Sequence, residues 1–315
     1  MTCTAFVMTP RTPGAIGVIH ITGASTAVVD LLHALTAHAA WPLHRARWSM
    51  LADLDDGVCA RLRDDLAVVM PHGGMRVMQR LLEWMRANGA VVSDPNAMPM
   101  RNRFPEARTE RAAALLDLLA RARSPRAVDV LLRQVSMADD AHVVCDADRA
   151  WSARIRHLID PPLVVVAGPA NVGKSTLTNT LMGRAQSIAF DQPGTTRDYT
   201  MGFLDLDGVV VHWLDTPGVR ETSDAIEARA IELAQQVMRD ADVLIALTDT
   251  ANEWPALPRA ADLRVGTRSD LGVRNDADLT LSAKTGEGMR AFVSRVRSML
   301  VSDEDLAAAR WLVMP

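Results

Sequence analysis

The chain has 315 residues, 49% of them hydrophobic and 23% charged, so it is long enough for two or three domains, each with its own core. Its net charge of −4 excludes a global attraction to nucleic acid or anionic membranes. Three cysteines without a C-x-x-C pair indicate neither a disulfide framework nor a thiolate zinc site. There is no secretory signal pattern and no apolar run near the ~20 residues of a membrane span, so we expect a cytoplasmic protein with no membrane partner.

Residues 1–104 predict a small α+β domain. Within it, residues 15–21 (AIGVIHI) predict a strand, and Ser25 is the expected cap of the helix that follows. Residues 66–70 predict a second strand. The segment His72-Gly73-Gly74 then leads into an amphipathic helix, and it is either a structural turn or part of a ligand site.

Residues 105–160 predict a shortened helical segment. Its arginines are nearly balanced by acidic residues, so we interpret it as a solvated helical surface, with an RNA-binding face as the alternative. Residues 161–300 alternate β-branched runs with loops and helices, as a mostly parallel sheet requires. Residues 301–315 predict a C-terminal tail. The buried strands predicted for the α/β part are 163–166, 209–214, 243–247 and 262–265.

Lysine is nearly absent: of 34 basic residues only Lys174 and Lys284 are lysines. Lys174 lies in residues 168–175 (GPANVGKS), which fit the pattern G-x-x-x-x-G-K-S/T between a predicted strand and a predicted helix. In such a P-loop, backbone N–H groups and a helix N-terminus surround phosphate oxygens, and a compact ammonium fits where a guanidinium would not. We expect Ser175 to bind Mg2+ through its hydroxyl.

Three later motifs predict which nucleotide binds. Asp215-Thr216-Pro217-Gly218 follows a strand, as expected of a carboxylate near magnesium and a glycine that senses the γ-phosphate. Thr267-Arg268-Ser269-Asp270 follows another strand, and the Asp270 carboxylate can accept from the N1–H and amine of guanine, donors that adenine lacks. Ser282-Ala283-Lys284 would cover the base from the other side. Together the motifs predict a GTP hydrolase with an α/β P-loop GTPase domain. The predicted nucleotide-binding residues are Asn171, Val172, Gly173, Lys174, Ser175, Thr176, Thr195, Thr196, Asp215, Thr216, Pro217, Gly218, Thr267, Arg268, Ser269, Asp270, Ser282, Ala283 and Lys284.

Two longer segments carry a resemblance to a known family. Residues 191–198 (DQPGTTRD) and 215–227 (DTPGVRETSDAIE) resemble the switch regions of the TrmE (MnmE) tRNA-modification GTPases, well beyond generic GTPase motifs. Residues 13–23 (PGAIGVIHITG) and 72–74 (HGG) more faintly resemble the N-terminal domain of that family. The chain is thus similar to a short, divergent member, with the resemblance strong over about 161–300.

The resemblance implies a potassium-stimulated GTPase. Asn171 matches the family's asparagine, whose side-chain carbonyl binds K+ beside the phosphates, and Thr195 lies in the loop that would wrap the ion. Thr196 would be the second protein ligand of Mg2+. Glu227 matches the family's catalytic glutamate, which positions the attacking water, whereas its helical position alone would make it an ordinary exposed glutamate. Lys174, Thr196 and Glu227 are the expected catalytic residues.

The resemblance also implies partners, and the chain departs from the family in places. GTP and GDP, a homodimer through the N-terminal domain, a flavin-dependent modification enzyme and tRNA are the expected partners. Thr267 and Arg268 replace the usual Asn-Lys, so we expect weaker base affinity with guanine selectivity retained. His20 and Val68 stand where the family's folate site uses arginine and glutamate, which leaves folate binding open. The helical segment is shorter, and the family's C-terminal cysteine motif is absent.

Three functions therefore remain open. The first is GTP hydrolysis linked to tRNA wobble-uridine modification. The second is a switch GTPase acting on ribosome or ribosomal RNA assembly, without folate-dependent activity. The third is a degraded paralogue that binds nucleotide and barely hydrolyses it.

Overall fold

The computed structural model describes the chain in five stretches. Its contacts divide the chain into two compact units, which we call unit 1 (Met1–Asp117) and unit 2 (Leu118–Pro315). No helix in the described stretches is long and apolar enough to cross a membrane. The described residues are 2–10, 12–138, 140–184, 200–216 and 225–314.

Unit 1 is an α+β structure built on a six-stranded sheet. The strands are β1 (Thr4–Val7), β2 (Ile19–Thr22), β3 (Ala46–Leu51), β4 (Asp55–Arg63), β5 (Leu66–Pro71) and β6 (Val91–Ser93). The helices are α1 (Ser25–Thr36), α2 (Met75–Ala87), α3 (Met100–Arg103) and α4 (Glu110–Arg121), the last of which runs into unit 2. The strand order is β3-β4-β5-β2-β1-β6, antiparallel except for the parallel β1–β6 pair.

One face of this sheet forms the core of unit 1 with α1 and α2. Alternate residues of β2, Ile19 and Ile21, are fully buried, as period-two patterning requires. They belong to the same apolar cluster as Leu32 of α1 and Leu81 of α2. A smaller cluster of Phe6, Leu66 and Met98 lies apart from this core.

Two sequence expectations for unit 1 need correction. The strand predicted at 15–21 begins only at Ile19, and the residues before it make isolated contacts with the end of β5, where Gly17 N donates to Pro71 O at 2.9 Å. Ser25 does not cap α1, since Ala24 occupies the cap position without a side-chain cap. The Ser25 hydroxyl instead accepts a 2.8 Å hydrogen bond from Arg61.

Unit 2 contains the second six-stranded sheet. The strands are β7 (Leu163–Ala167), β8 (Thr200–Leu206), β9 (Val209–Asp215), β10 (Val243–Thr248), β11 (Leu263–Gly266) and β12 (Leu279–Thr280). The helices are α5 (Pro125–Ser136), α6 (Asp146–Ile159), α7 (Lys174–Arg184), α8 (Ala225–Asp240), α9 (Met289–Leu300) and α10 (Asp303–Ala307). The order β12-β11-β10-β7-β9-β8 is parallel throughout, except that β8 runs antiparallel to β9.

The strand order places a binding crevice at the end of β7. Its neighbours are β9 on one side and β10 on the other, so the chain leaves β7 where the winding of the sheet reverses. Ligands bind such open sheets outside the carboxyl ends of the strands at this switch point. Residues 168–173 connect β7 to α7 there, and Lys174 and Ser175 begin α7, which confirms the predicted α/β P-loop GTPase fold.

The sequence patterns did not predict the antiparallel edge strand β8. Its partner β9 follows after the two-residue turn Asp207-Gly208, where both residues have positive φ, 54° and 86°. Asp-Gly is the typical signal for this kind of hairpin turn, so the pair could have been read from the sequence.

The helical segment and the chain's last residues pack together within unit 2. Leu312 N donates to the Gln134 side chain of α5 at 2.7 Å, and Val313 N donates to Ser152 of α6 at 2.8 Å. Ser124, at the start of α5, donates its hydroxyl to Gly208 O in the β8–β9 turn. The helices α5 and α6 are therefore bound both to the edge of the sheet and to residues 303–314.

Candidate nucleotide-binding site

The P-loop has the backbone conformation that its sequence predicts. Asn171 and Gly173 both have positive φ, 62° and 98°. A side chain at Gly168 would put its Cβ 2.3 Å from Leu247 O, so only glycine lets the loop pass this close to β10. Val172 is fully buried and holds the loop against the domain, while Asn171 is exposed at its outer side.

Lys174 begins α7 and reaches back beneath the loop. Its ammonium donates to Gly168 O at 2.9 Å and to Pro169 O at 2.8 Å, and only 7% of the residue is exposed. Burial lowers the pKa of this ammonium, and the nearby Asp215 carboxylate opposes the shift. A partly desolvated cation held among loop carbonyls is suited to binding phosphate oxygens.

Ser175 and Asp215 form the side of the site where a magnesium ion is expected. Asp215 ends β9, and Ser175 Oγ lies 3.4 Å from its Oδ2. Asp215 Oδ1 is buried and has no hydrogen-bond partner among the described residues. Burial raises the pKa of this carboxyl, and Lys174 lowers it. A buried carboxylate with an unused oxygen beside an exposed hydroxyl fits a hydrated cation with oxygen ligands.

Thr267 joins the predicted base-recognition loop to the P-loop. Thr267 is only 4% exposed, and its Oγ1 lies 2.6 Å from Val172 O and 3.1 Å from Thr248 O. The hydroxyl therefore makes a direct connection between two motifs that are 95 residues apart. This contact gives a structural role to the threonine that replaces the family's asparagine.

Arg268 is held by a carboxylate that sequence reasoning did not select. It has φ of 56°, and its guanidinium lies 3.2 Å from Asp249 Oδ2. Asp249, directly after β10, is nearly buried and also accepts from Asn252 Nδ2 at 2.7 Å. The position of Asp249 at a parallel strand's carboxyl end was the available signal. Asp249 therefore holds the side chain of Arg268, which the sequence predicts to bind nucleotide.

Asp270 and Ser282 bring the last two motifs together. Ser282 Oγ donates to Asp270 Oδ1 at 2.6 Å, and this hydrogen bond lowers the pKa of the exposed Asp270 carboxyl. Asp270 is therefore ionised at neutral pH and keeps acceptor capacity for guanine. The buried Ser282 also accepts from Thr285 N at 3.3 Å, and Ala283 O accepts from Thr180 of α7 at 3.4 Å.

The remaining predicted residues lie in different surroundings. Thr176 is exposed in the first turn of α7, Thr216 is buried with its hydroxyl 2.9 Å from Val166 O, and Ser269 donates to Glu287 at 2.9 Å. Lys284 is exposed beside Ala283. Glu227 lies in the first turn of α8, but its side chain is outside the described part of the structure. Also outside the described residues are Thr195, Thr196, Pro217 and Gly218.

The two residues expected to differ from the family's folate site, His20 and Val68, lie side by side on neighbouring strands of unit 1. His20 of β2 and Val68 of β5 are register partners, and both are buried. His20 Nδ1 is 3.1 Å from Asn102 O, and burial lowers the pKa of its ring. A cavity of about 870 Å³ is lined by the loop after β1 and by α2, and neither His20 nor Val68 lines it.

Comparison with known proteins agrees with this site. Residues 163–269 match the family model described as 50S ribosome-binding GTPase. The tRNA modification GTPase MnmE of Nitratidesulfovibrio vulgaris is 28% identical over 95% of this chain and 81% of its own length. The MnmE of Synechococcus sp. is 28% identical over 84% and 70%, respectively. A shorter stretch of the Ruegeria sp. MnmE is 39% identical, over 44% of this chain and 32% of that protein.

These similarities confirm the resemblance to the tRNA-modification GTPases that the switch motifs carry. They also confirm that the protein is a GTP hydrolase of the P-loop type. Among solved structures, Era in complex with MgGDPNP and 16S ribosomal RNA covers 44% of this chain at 25% identity, with a TM-score of 0.36. The strand order of the second sheet and the matching family model show the P-loop GTPase fold.

Proposed function

We propose that this GTP hydrolase acts in tRNA modification, with Mg2+ as its metal cofactor and K+ as its activator. The link to tRNA modification is supported by one observation above all: the MnmE of N. vulgaris aligns with 95% of the chain, including unit 1 as well as the GTPase domain. A generic GTPase would share only the nucleotide-binding part. We further propose that unit 1 pairs two copies of the chain.

The described residues suit the chemistry of a magnesium nucleotide. Loop N–H groups, the start of α7 and the Lys174 ammonium bind the phosphates, and Asp270 selects guanine. Ser175 would bind Mg2+ directly, and Asp215 would hold its water through the oxygen that lacks a partner. When bound there, the ion would supply positive charge that offsets the negative charge developing on the phosphates during hydrolysis.

The proposed roles of the residues that activate water and bind potassium are based on the resemblance to the tRNA-modification GTPases. Glu227 would orient the attacking water, and Thr196 would complete the protein ligands of magnesium. Asn171 and Thr195 would bind K+ beside the phosphates. The exposed position and left-handed backbone of Asn171 in the P-loop support this role, because they leave its side chain outside the domain core.

Steady-state GTP turnover in KCl and in NaCl tests the potassium mechanism. We expect wild type to be about tenfold or more faster in KCl, since a cation at this position does what an arginine finger does in other GTPases. Asn171→Ala should remove the difference between the salts while keeping the rate in NaCl. Asn179→Ala, an exposed asparagine on α7, is the matched control. Equal rates in both salts, with Asn171→Ala harmless, would rule out this mechanism.

The alternative is a switch GTPase in ribosome assembly, which the description of the matching family model favours. Two measurements separate it from tRNA modification. Affinity capture in each nucleotide state should recover a flavin-dependent enzyme or tRNA under our proposal, and ribosomal particles under the alternative. Titration with formyl-tetrahydrofolate should show saturable binding if unit 1 still serves modification, despite His20 and Val68. Absence of binding together with capture of ribosomal particles would replace our proposal with the alternative.

A further inference from the structure

Two aspartates at the start of β4 meet the histidine that follows β5 in unit 1. His72 Nδ1 lies 2.9 Å from Asp55 Oδ1 and 3.7 Å from Asp56 Oδ1. One ligand atom from each of the three residues lies within 4.8 Å of the others. The neighbouring Gly57 keeps the strands close, because a Cβ there would stand 2.4 Å from Met70 O. The tight β4–β5 pairing therefore brings the three side chains together.

Each carboxylate is oriented through its second oxygen. The backbone N–H of His72 donates to Asp55 Oδ2 at 2.9 Å. The indole N–H of Trp48, on β3, donates to Asp56 Oδ2 at 2.8 Å. Both Oδ1 atoms are thus left directed toward His72 Nδ1. Hydrogen bonds to the outer oxygens of carboxylate ligands are typical of protein metal sites, where they fix the direction of the inner oxygens.

The distances suit a small transition-metal ion. Ligand atoms at about 2.1 Å from a tetrahedral ion are about 3.4 Å apart. The separations of His72 Nδ1 from the Oδ1 atoms of Asp55 and Asp56, 2.9 Å and 3.7 Å, lie on either side of that value. The Asp55 side chain is only 10% exposed and the His72 side chain is 65% exposed, so protein closes one side and water can reach the other. One imidazole nitrogen with two carboxylate oxygens favours zinc-like ions over Mg2+, which prefers oxygen ligands alone.

We propose that Asp55, Asp56 and His72 form a binding site for a divalent transition-metal ion, with Zn2+ as the best-fitting ion and water completing its coordination. Metal binding displaces the proton that His72 Nδ1 donates to Asp55 Oδ1, because the ring nitrogen must be free to bind the metal. These three residues belong to unit 1, whereas the predicted nucleotide-binding residues all belong to unit 2. The metal site gives His72, in the His72-Gly73-Gly74 segment, a role beyond the turn.

Calorimetric titration of the full-length, nucleotide-free protein with ZnCl2 tests the site, with excess Mg2+ present to occupy sites for hard cations. We expect one Zn2+ per chain. His72→Ala should weaken binding by about 100-fold or more, and Trp48→Phe by about 10-fold to 100-fold, the usual loss when an outer hydrogen bond to a ligand is removed. Asp56→Asn keeps an acceptor for Trp48 and removes one anionic ligand, so it should also weaken binding.

His33→Ala is the matched control, because His33 is an exposed histidine of unit 1 with its Nδ1 3.0 Å from a backbone carbonyl, His38 O. It should bind Zn2+ like wild type. Circular dichroism and unchanged GTP turnover verify the folding of each variant. If His72→Ala fails to fold, the Zn2+ affinity of Asp56→Asn is the deciding measurement. Either of two results overturns the proposal: no saturable Zn2+ binding by wild type, or unchanged binding by the folded ligand variants. The second result would mean that Zn2+ binds elsewhere and that the contacts among Asp55, Asp56 and His72 only stabilise the turn.

Discussion

Replacing Thr267 with valine should loosen the connection between base recognition and phosphate binding. Valine has nearly the shape of threonine, so the change removes the buried hydroxyl while keeping the volume. Thr248 O retains the Thr267 backbone N–H as a donor at 2.8 Å, whereas Val172 O loses the 2.6 Å hydroxyl contact. One buried hydrogen bond lost at one acceptor costs about 1–3 kcal/mol.

That magnitude sets the expected effect on nucleotide binding. If the lost free energy falls on the aligned, nucleotide-binding state, GDP affinity drops by about 5-fold to 150-fold. Fluorescent GDP titration measures the affinity, and urea denaturation measures stability in the same samples. Thr36→Val is the matched control: it removes a buried hydroxyl hydrogen bonded to Leu32 O at 2.7 Å, but in unit 1. Unchanged GDP affinity in Thr267→Val, with a stability loss like that of the control, would refute the reasoning.

Three further predictions concern charged groups of unit 2. Asp270→Asn should weaken GTP binding by about 100-fold or more, because the site then presents a donor to guanine's amine; competition between GTP and xanthosine triphosphate measures it, and xanthosine triphosphate should gain. Lys174→Arg should slow single-turnover GTP hydrolysis by about 100-fold or more, since the wider guanidinium does not fit beneath the loop; a rate within threefold of wild type would contradict this. Hydrogen bonds from Arg154 lower the pKa of Asp305 below its usual 3.8, so the ionised carboxyl stabilises the fold at neutral pH, and this contribution is lost as pH falls through the lowered pKa. Asp305→Asn should therefore unfold at lower urea than wild type at pH 7, with the two curves converging in strong acid.

The local pattern of apolar residues was sufficient to predict the central strands of the GTPase sheet. The strands β7, β9 and β10 are largely apolar and rich in β-branched residues, and central parallel strands are buried on both faces, so such apolar runs predict them well. The edge strand β8 shows the limit of this signal. Its residues mix apolar and polar types, and its pairing becomes visible only with the Asp207-Gly208 turn.

The phosphate-binding and base-binding motifs were predictable because their chemistry depends on contiguous residues. A P-loop turns within eight residues, and a specificity loop needs one carboxylate at a strand end, so both are written in short segments of sequence. Their partners were not predictable in this way. Asp249 approaches Arg268 from 19 residues away, and Thr267 reaches Val172 from 95 residues away.

The same division runs through the whole molecule. The amino-acid sequence alone specified a guanine nucleotide, a P-loop domain and a resemblance to tRNA-modification GTPases, since each depends on residue types at short, set spacings. Only the tertiary structure showed that Asp55 and Asp56 meet His72, or that Leu312 binds Gln134 across 178 residues. Such contacts depend on how strands pair and which faces become buried, and those outcomes come from the packing of the entire chain rather than from any local segment.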